Sequence, residues 1–258
     1  MLIQGMGVGA NGWLPQVDAL MSHYQCVSFD NRGYGLSQPT AKELTLDMMA
    51  DDVLALMDAQ GWQSAHLVGH SIGGLIALYA AHRARERVRS LCLLCTFASG
   101  KTPTRAAWAL VRIGIRTRIG TRRMRRHAFL ELVVPSTELA NADRDAVADR
   151  LAQSFGRDLA DQPPVIMQQF RATRAADATP FLDGLAGVPT LVVSAEHDVV
   201  APQAAGRGLA NGIAGARFVC VPDASHGVTL QNPAVINELL IEHLGAAEAL
   251  VRQPRDVR

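Results

Sequence analysis

Short apolar runs alternate with longer stretches of three- and four-residue apolar periodicity along most of this chain. Met1-Leu2-Ile3 is a fragment of a first strand, and residues 24–29, 65–68, 88–95, 189–194 and 217–221 have the length and apolar character of further strands. Between them lie helical patterns. Residues 13–21 read as a short helix. Thr45 stands in an N-cap position ahead of Leu46, Met49, Val53, Leu56 and Met57, in a helix that ends at Gly61. Residues 75–81 are apolar all round, as a buried helix is, and further helices fall near 202–209 and over 232–244. Strands alternating with helices predict an α/β fold, a mostly parallel sheet with helices on both faces. The rhythm stops between residue 98 and about residue 180, where the pattern is helical with no clear strand. The chain therefore divides into a core of residues 1–97 and 181–245, a helical cap insertion of 98–180, and a loose polar tail over 246–258. There are no internal repeats.

Composition narrows the class. With 258 residues, 48% apolar and 19% charged, the chain has enough material for one well-buried α/β core. A net charge of +1 argues against a general nucleic-acid-binding surface. No run approaches the ~18 apolar residues of a membrane span, and no basic-then-apolar segment opens the sequence, so cytoplasmic residence is the default expectation. Cys26, Cys92, Cys95 and Cys220 each fall in a strand-like apolar run and read as small buried hydrophobes. Cys92 and Cys95 have a C-x-x-C spacing, but an odd offset on a strand sends them to opposite faces, which argues against a redox or zinc pair.

The chemistry centres on Gly69-His70-Ser71-Ile72-Gly73-Gly74, placed between a strand and a buried helix. A serine at such a turn sits in a strained conformation, with its hydroxyl lifted above the sheet and the free N–H groups of the helix start aimed at it. The residues two away on each side must be small, as Gly69 and Gly73 are. Serine at neutral pH needs a base, and the base needs an orienting carboxylate. His226 follows the last strand, in Asp223-Ala224-Ser225-His226-Gly227, and Asp198 follows the strand before it, in Glu196-His197-Asp198. The C-terminal ends of parallel strands open on one edge, so Ser71, Asp198 and His226 converge there. Glu196 and Asp223 are alternative acids. His23, His70, His82 and His197 are the competing histidines, none of them after the final strand. His70 reads as a packing or locally hydrogen-bonded residue, and Asp30 with Arg32 as a loop-stabilising ion pair.

A second anomaly lies in the insertion. Residues 87–130 contain no Asp or Glu but many arginines, among them Arg105, Arg112, Arg116, Arg118, Arg122, Arg123 and Arg126, interleaved with Trp108, Leu110, Val111, Ile113 and Ile115. Three readings are open. The stretch is a solvated face balanced by the following acids (Glu131, Glu138, Asp143, Asp145, Asp149), a basic amphipathic lid touching anionic membrane or lipid, or a site for an acidic substrate group such as carboxylate or phosphate.

Taken together, these motifs resemble the α/β-hydrolase fold superfamily, and most closely its small bacterial esterases and enol-lactonase-like members. The matches are Gln4-Gly5-Met6-Gly7, Phe29-Asp30-Asn31-Arg32-Gly33-Tyr34-Gly35-Leu36-Ser37, the elbow, the Asp198 loop and Ser225-His226-Gly227, covering residues 1–97 and 181–245. Haloalkane dehalogenases and epoxide hydrolases place Asp where this chain has Ser71, and proline iminopeptidases carry Gly-Gly-Ser-Trp-Gly at the elbow. The resemblance implies an oxyanion hole formed by the backbone N–H groups of Met6 and Ile72. It also implies a small-molecule ester substrate and no metal or organic cofactor. Relatives carry His where this chain has Gln4. They also have an antiparallel hairpin ahead of the first strand, so an N-terminal hairpin is missing and the expectation is a start that is truncated or assigned too late. The resulting expectation is a serine hydrolase cleaving a carboxylic ester through an acyl-enzyme. The alternatives are a lactonase or carbon–carbon bond hydrolase using the same triad, or a non-catalytic ligand-binding protein on the same fold.

Overall fold

The computed structural model describes residues 1–101 and 107–252; Arg105 of the basic stretch and the expected tail from Gln253 onward lie outside the described residues. In chain order the elements are β1 (Leu2–Ile3), α1 (Leu14–Leu20), β2 (Ser28–Phe29), α2 (Leu46–Ala59), β3 (Ala65–His70), α3 (Ile72–Arg83) and β4 (Val88–Leu94). Five helices follow, α4 (Ala107–Arg116), α5 (Arg122–Val133), α6 (Ser136–Asn141), α7 (Arg144–Phe155) and α8 (Pro164–Ala175). The chain then returns through β5 (Thr190–Ala195), α9 (Gln203–Asn211), β6 (Arg217–Val221), α10 (Val228–Gln231) and α11 (Pro233–Arg252).

The six strands form one sheet in the order β2-β1-β3-β4-β5-β6, and every pairing is parallel. Alternation along each strand sets the two faces. Leu67, Leu91, Leu93 and Val192 point to one side, where they pack with Met49, Val53 and Met57 of α2, Leu75 of α3 and Leu209 of α9. Val68, Cys92, Leu94, Leu191 and Val193 point to the other, against Leu20 of α1 and Ile236, Leu240 and Leu244 of α11. Thr45 caps α2 by accepting a hydrogen bond from Met48 N at 3.2 Å, and Gly61 follows the helix at φ +67°. Because α3 is flanked by sheet and helix, Ile72, Leu75, Ile76 and Leu78 are all buried.

Several local expectations change. The strand expected over 24–29 pairs only at Ser28 and Phe29, because β1 offers just Leu2 and Ile3 as partners. The last helix does not stop at residue 244. It runs to Arg252, so residues 246–252 are helix rather than tail; Ala247 is buried, and Glu248 is tied to Arg89 at 2.6 Å. Cys95 lies beyond the end of β4 at φ +47°, which turns it into the same cluster as Cys92 instead of the opposite face. All four cysteines are free. Arg32 pairs with Asp52 (Nε to Oδ2, 2.9 Å), not with Asp30. Asp30 instead accepts the Ala10 and Leu36 N–H groups, at 2.8 and 3.0 Å.

α4 to α8 occupy the long excursion between β4 and β5. Its two ends are tied together: Ala178 N donates to Ala98 O at 2.8 Å and Gly100 N to Ala176 O at 3.0 Å. Above that neck, Leu130 and Val133 of α5 pack with Val147, Leu151 and Phe155 of α7, and Val8 from the loop after β1 joins the same cluster. The excursion is thus anchored onto the loop that borders the site. No helix among the described residues is long and apolar enough to cross a membrane.

Candidate active site

Strand direction brings four loops to one edge. β3 runs straight into Ser71, which stands before α3 at φ 56° and ψ −122°. This is a left-handed conformation that non-glycine residues avoid, and the surroundings hold it. Ser71 N donates to Leu94 O at 2.9 Å, while Ser71 O accepts from Thr96 Oγ1 at 2.7 Å and from Gly74 N at 2.9 Å. The two elbow glycines have no room for a side chain. A Cβ on Gly69 would lie 2.3 Å from Gly73 O, and one on Gly73 would lie 2.1 Å from Ile3 O.

Ser71 Oγ is 3.0 Å from His226 Nε2, and His226 Nδ1 is 2.7 Å from Asp198 Oδ2. The carboxylate fixes the tautomer: Nδ1 carries the proton and donates, leaving the Nε2 lone pair to accept from the serine hydroxyl. Asp198 is held in turn by Val200 N and Ala201 N, which donate to Oδ1 at 2.7 and 2.8 Å. Its side chain has no exposed surface, so a buried charge is stabilised by three hydrogen bonds. The competing acids lie elsewhere. Glu196 and Asp223 are both exposed, and Glu196 Oε2 accepts from Asp223 N at 3.1 Å. His197 is exposed beside them.

His70 is buried against His226, their ring centroids 4.9 Å apart. Its Nε2 donates to His226 O at 2.8 Å, which pins the backbone of the histidine that faces Ser71. Burial, reinforced by the nearby His226 ring, lowers the His70 pKa to about 3, so the ring stays neutral beside its neighbour.

The loop after β1 completes the edge. Gly5 N donates to Gln4 Oε1 at 2.8 Å and Gly7 N to Gln169 Oε1 of α8 at 3.0 Å. Met6 N between them and Ile72 N at the start of α3 have no hydrogen-bond acceptor among the described residues. The Gln4 carboxamide therefore folds onto its own loop, and Met6 lines the cavity above Ser71. Thr96, Gln169 and Arg157, whose Nε donates to Gly7 O at 3.1 Å, hold this geometry and carry no motif that singles them out in the sequence.

Above Ser71 and His226 is a cavity of about 610 Å³ bordered by Met6, Ile72 and Phe97 below and by Val111, Phe129, Phe155, Ile166 and Phe170 above. Its volume and apolar walls suit a small organic molecule. A groove of about 760 Å³ lies at the N-terminal ends of β1, β3 and β4 and contains none of Ser71, Asp198 and His226. Beside it a second chain of the same residue types occurs: His66 lies 2.8 Å from Ser90 Oγ and 2.9 Å from Glu248 Oε1. Ser90 sits in mid-strand at 0% exposure, so no reacting carbon can reach it. That network is a structural one.

Most of the basic stretch is neutralised locally. Arg116 pairs with Glu131 at 2.7 Å, Arg122 with Asp158 at 3.2 Å and Arg123 with Asp145 at 2.8 Å, while Arg126 reaches Asp149. Exposed pairs of this kind contribute little stability each, yet they balance much of the charge, as the solvated-face reading expects. Arg112, Arg118 and Arg125 make no ion pair among the described residues.

A family model described as the alpha/beta hydrolase fold matches residues 1–233. The chain is similar to RutD of Azorhizobium caulinodans, provisionally named a carbamate hydrolase, with 31% identity over 245 residues that cover 95% of this chain and 90% of the relative. Among solved structures it is similar to a hydrolase from Pseudomonas aeruginosa PA01, at 29% identity and a TM-score of 0.79, covering 95% of this chain and 88% of the other. It is likewise similar to the enol-lactonase from Burkholderia xenovorans LB400, also at 29% identity and a TM-score of 0.79, over 95% and 90% of the two chains.

Proposed function

The chain belongs to the α/β-hydrolase fold family and is a hydrolase, and we propose that it cleaves carboxylic esters of small or medium-sized, largely apolar molecules through an acyl-enzyme on Ser71. The observation that carries this reading is the unbroken hydrogen-bonded chain from Asp198 through His226 to Ser71 at the floor of an apolar cavity.

His226 Nε2 takes the Ser71 proton as Oγ attacks the ester carbonyl, and Asp198 stabilises the imidazolium that forms. The carbonyl oxygen becomes an oxyanion between Met6 N–H and Ile72 N–H, with the N-terminal end of α3 behind it. His226 then gives its proton to the departing alkoxide. A water molecule, deprotonated by the same histidine, attacks the acyl group and regenerates Ser71. In this scheme residues 1–97 and 181–245 supply the reacting groups, and the helices between them form a cap that shapes the acyl or alcohol pocket. A lactone is an ester closed on itself, and a carbamate presents the same acyl carbon, so the substrates in the relatives' names call for the same attack.

A series of p-nitrophenyl esters of rising acyl length tests the reading. Ester hydrolysis is expected, with kcat falling roughly 10⁶-fold in Ser71→Ala. Absence of turnover across the series, or turnover that survives Ser71→Ala, overturns it.

A further inference from the structure

The loop after β1 is held from two directions, and Met6 lies where they meet. Ahead of Met6 the core holds the loop. Asn31 Nδ2 donates to Gln4 O at 2.9 Å, and Gly5 N turns back to Gln4 Oε1 at 2.8 Å. Beyond Met6 the partners come from the excursion between β4 and β5. Gly7 N donates to Gln169 Oε1 of α8 at 3.0 Å, and Gly7 O accepts from Arg157 Nε at 3.1 Å. Gly9 N donates to the carbonyl of Phe155, the last residue of α7, at 3.3 Å.

The local backbone shows why Gly7 needs a partner. Met6 and Gly7 are the central residues of a turn whose closing bond, Val8 N to Gly5 O, is long at 3.4 Å. Gly7 has φ +64° while Met6 has no positive φ, which is the type II arrangement. Types I and II exchange by rotation of the central peptide, and a long closing bond resists that weakly. Rotation carries the Gly7 N–H away and twists the main chain of Met6, whose own N–H is the proposed oxyanion donor. An acceptor on the Gly7 N–H therefore locks the turn in one state. Gln169 is placed for this alone. It is fully buried, and its Nε2 has no partner among the described residues, so only the acceptor is used. α8 also sits close over the loop: a Cβ on Gly7 would lie 2.8 Å from Ile166 Cδ1.

The base is held differently. His226 O accepts from His70 Nε2 of the core, and Gly227 N donates to Val133 O at the end of α5, at 3.0 Å. His226 thus has a core partner whatever the excursion does. Gly7 makes no hydrogen bond to the core among the described residues.

We propose that Gln169 is a positioning residue for the oxyanion hole, holding Gly7 so that the Met6 N–H keeps its aim, and that the helices above the site thereby set the rate of the chemical step as well as the shape of the pocket. This inference rests on the Ser71 ester-hydrolase reading above. Acylation and deacylation both place negative charge on the same carbonyl oxygen, so a displaced Met6 N–H slows each of them.

The test replaces Gln169 by Met, which keeps the length and removes the acceptor, with Gln169→Leu as a second replacement. Because Nε2 has no partner, the Gly7 N–H is the only group that either change strands, and the fold is expected to survive. With p-nitrophenyl butyrate, kcat falls roughly tenfold to a hundredfold while KM stays within about twofold. Affinity for a trifluoromethyl ketone of matching chain length falls by about the same factor. Ser71 Oγ adds to that ketone's carbonyl and its proton passes to His226, which leaves an oxyanion in the hole. The pH dependence of kcat/KM stays native, because the base keeps its core partner. A merely loosened structure would raise KM and shift the pH profile as well. Folded variants with kcat and ketone affinity within about threefold of native overturn the role, as does a loss confined to KM. Failure of both variants to fold makes Gln169 structural and overturns it too. Native protein that hydrolyses no ester overturns the hydrolase reading, and this role with it.

Discussion

Gly73→Ala is the most informative single perturbation, because it acts on the spacing between the two proposed oxyanion donors. A methyl group there would lie 2.1 Å from Ile3 O, 2.7 Å from Ile3 C and 2.9 Å from Gln4 O. All three are backbone atoms, so no side-chain rotation relieves the clash. An ordinary contact begins near 3.4 Å, which means the start of α3 and the end of β1 must separate by more than about 1 Å. Ile72 N rides on the first of these segments and Met6 N on the second. Overpacking of this size costs about 1–3 kcal/mol of stability. A 1 Å misplacement of a reacting group costs about 10²-fold in rate, comparable to removing one oxyanion donor. Thermal unfolding and steady-state hydrolysis of a p-nitrophenyl ester read the two effects separately. Gly245→Ala in α11 is the control: nothing lies within 4 Å of its added methyl, so stability rises by about 0.4–1 kcal/mol and kcat is unchanged. A folded Gly73→Ala protein with native melting temperature and kcat within about threefold of native would refute the reasoning.

Two further outcomes follow from the same geometry. Asp198→Asn lowers kcat by about 10⁴-fold, whereas Glu196→Gln and Asp223→Asn leave it within about threefold, because neither exposed acid touches His226; a large loss in either would reassign the acid. Stability declines on acidification from about pH 6.5, measured as melting temperature between about pH 8 and pH 4. The sign follows from His70, neutral in the fold with a pKa of about 3, and from His66 and His243, whose pKa values burial also lowers. Unfolding frees these rings to take up protons below about pH 6.5, so stability is whole above that value and is lost as pH falls toward the folded-state values. A melting temperature flat down to about pH 4.5 contradicts this.

The parts of the fold legible in the sequence are those that local pattern determines. β3, β4 and β5 are largely buried runs and β6 a half-buried edge strand with the same apolar pattern; Ser71, Asp198 and His226 follow β3, β5 and β6, so parallel strand direction alone brings them together. Features that depend on distant partners were not legible. Arg32 has a nearby acid in Asp30, yet Asp52 on α2 takes its charge, and nothing in the local motif favours one over the other. Gln169, Thr96 and Arg157 lie in unrelated stretches and reach the site only through tertiary folding. α11 continues to Arg252 because Ala247 is buried and Glu248 finds His66 and Arg89 at the N-terminal ends of β3 and β4, whereas the polar residues near its end read as a tail. The arginine stretch was legible in part. Its charge when counted left three readings open, and the pairing of Arg116, Arg123 and Arg126 with Glu131, Asp145 and Asp149 agrees with the balanced solvated face. Which acid meets which arginine, and the part of Asp158, depend on the folding of α5 against α7.

The central claim is that Ser71 forms a covalent acyl-enzyme. Incubation of the native protein with a fluorophosphonate, followed by peptide mass analysis, tests it most directly. The account predicts one adduct, on Ser71 within the peptide containing Gly69-His70-Ser71-Ile72-Gly73, and no label in Ser71→Ala. An unlabelled native protein, or an adduct that persists in Ser71→Ala, would contradict it.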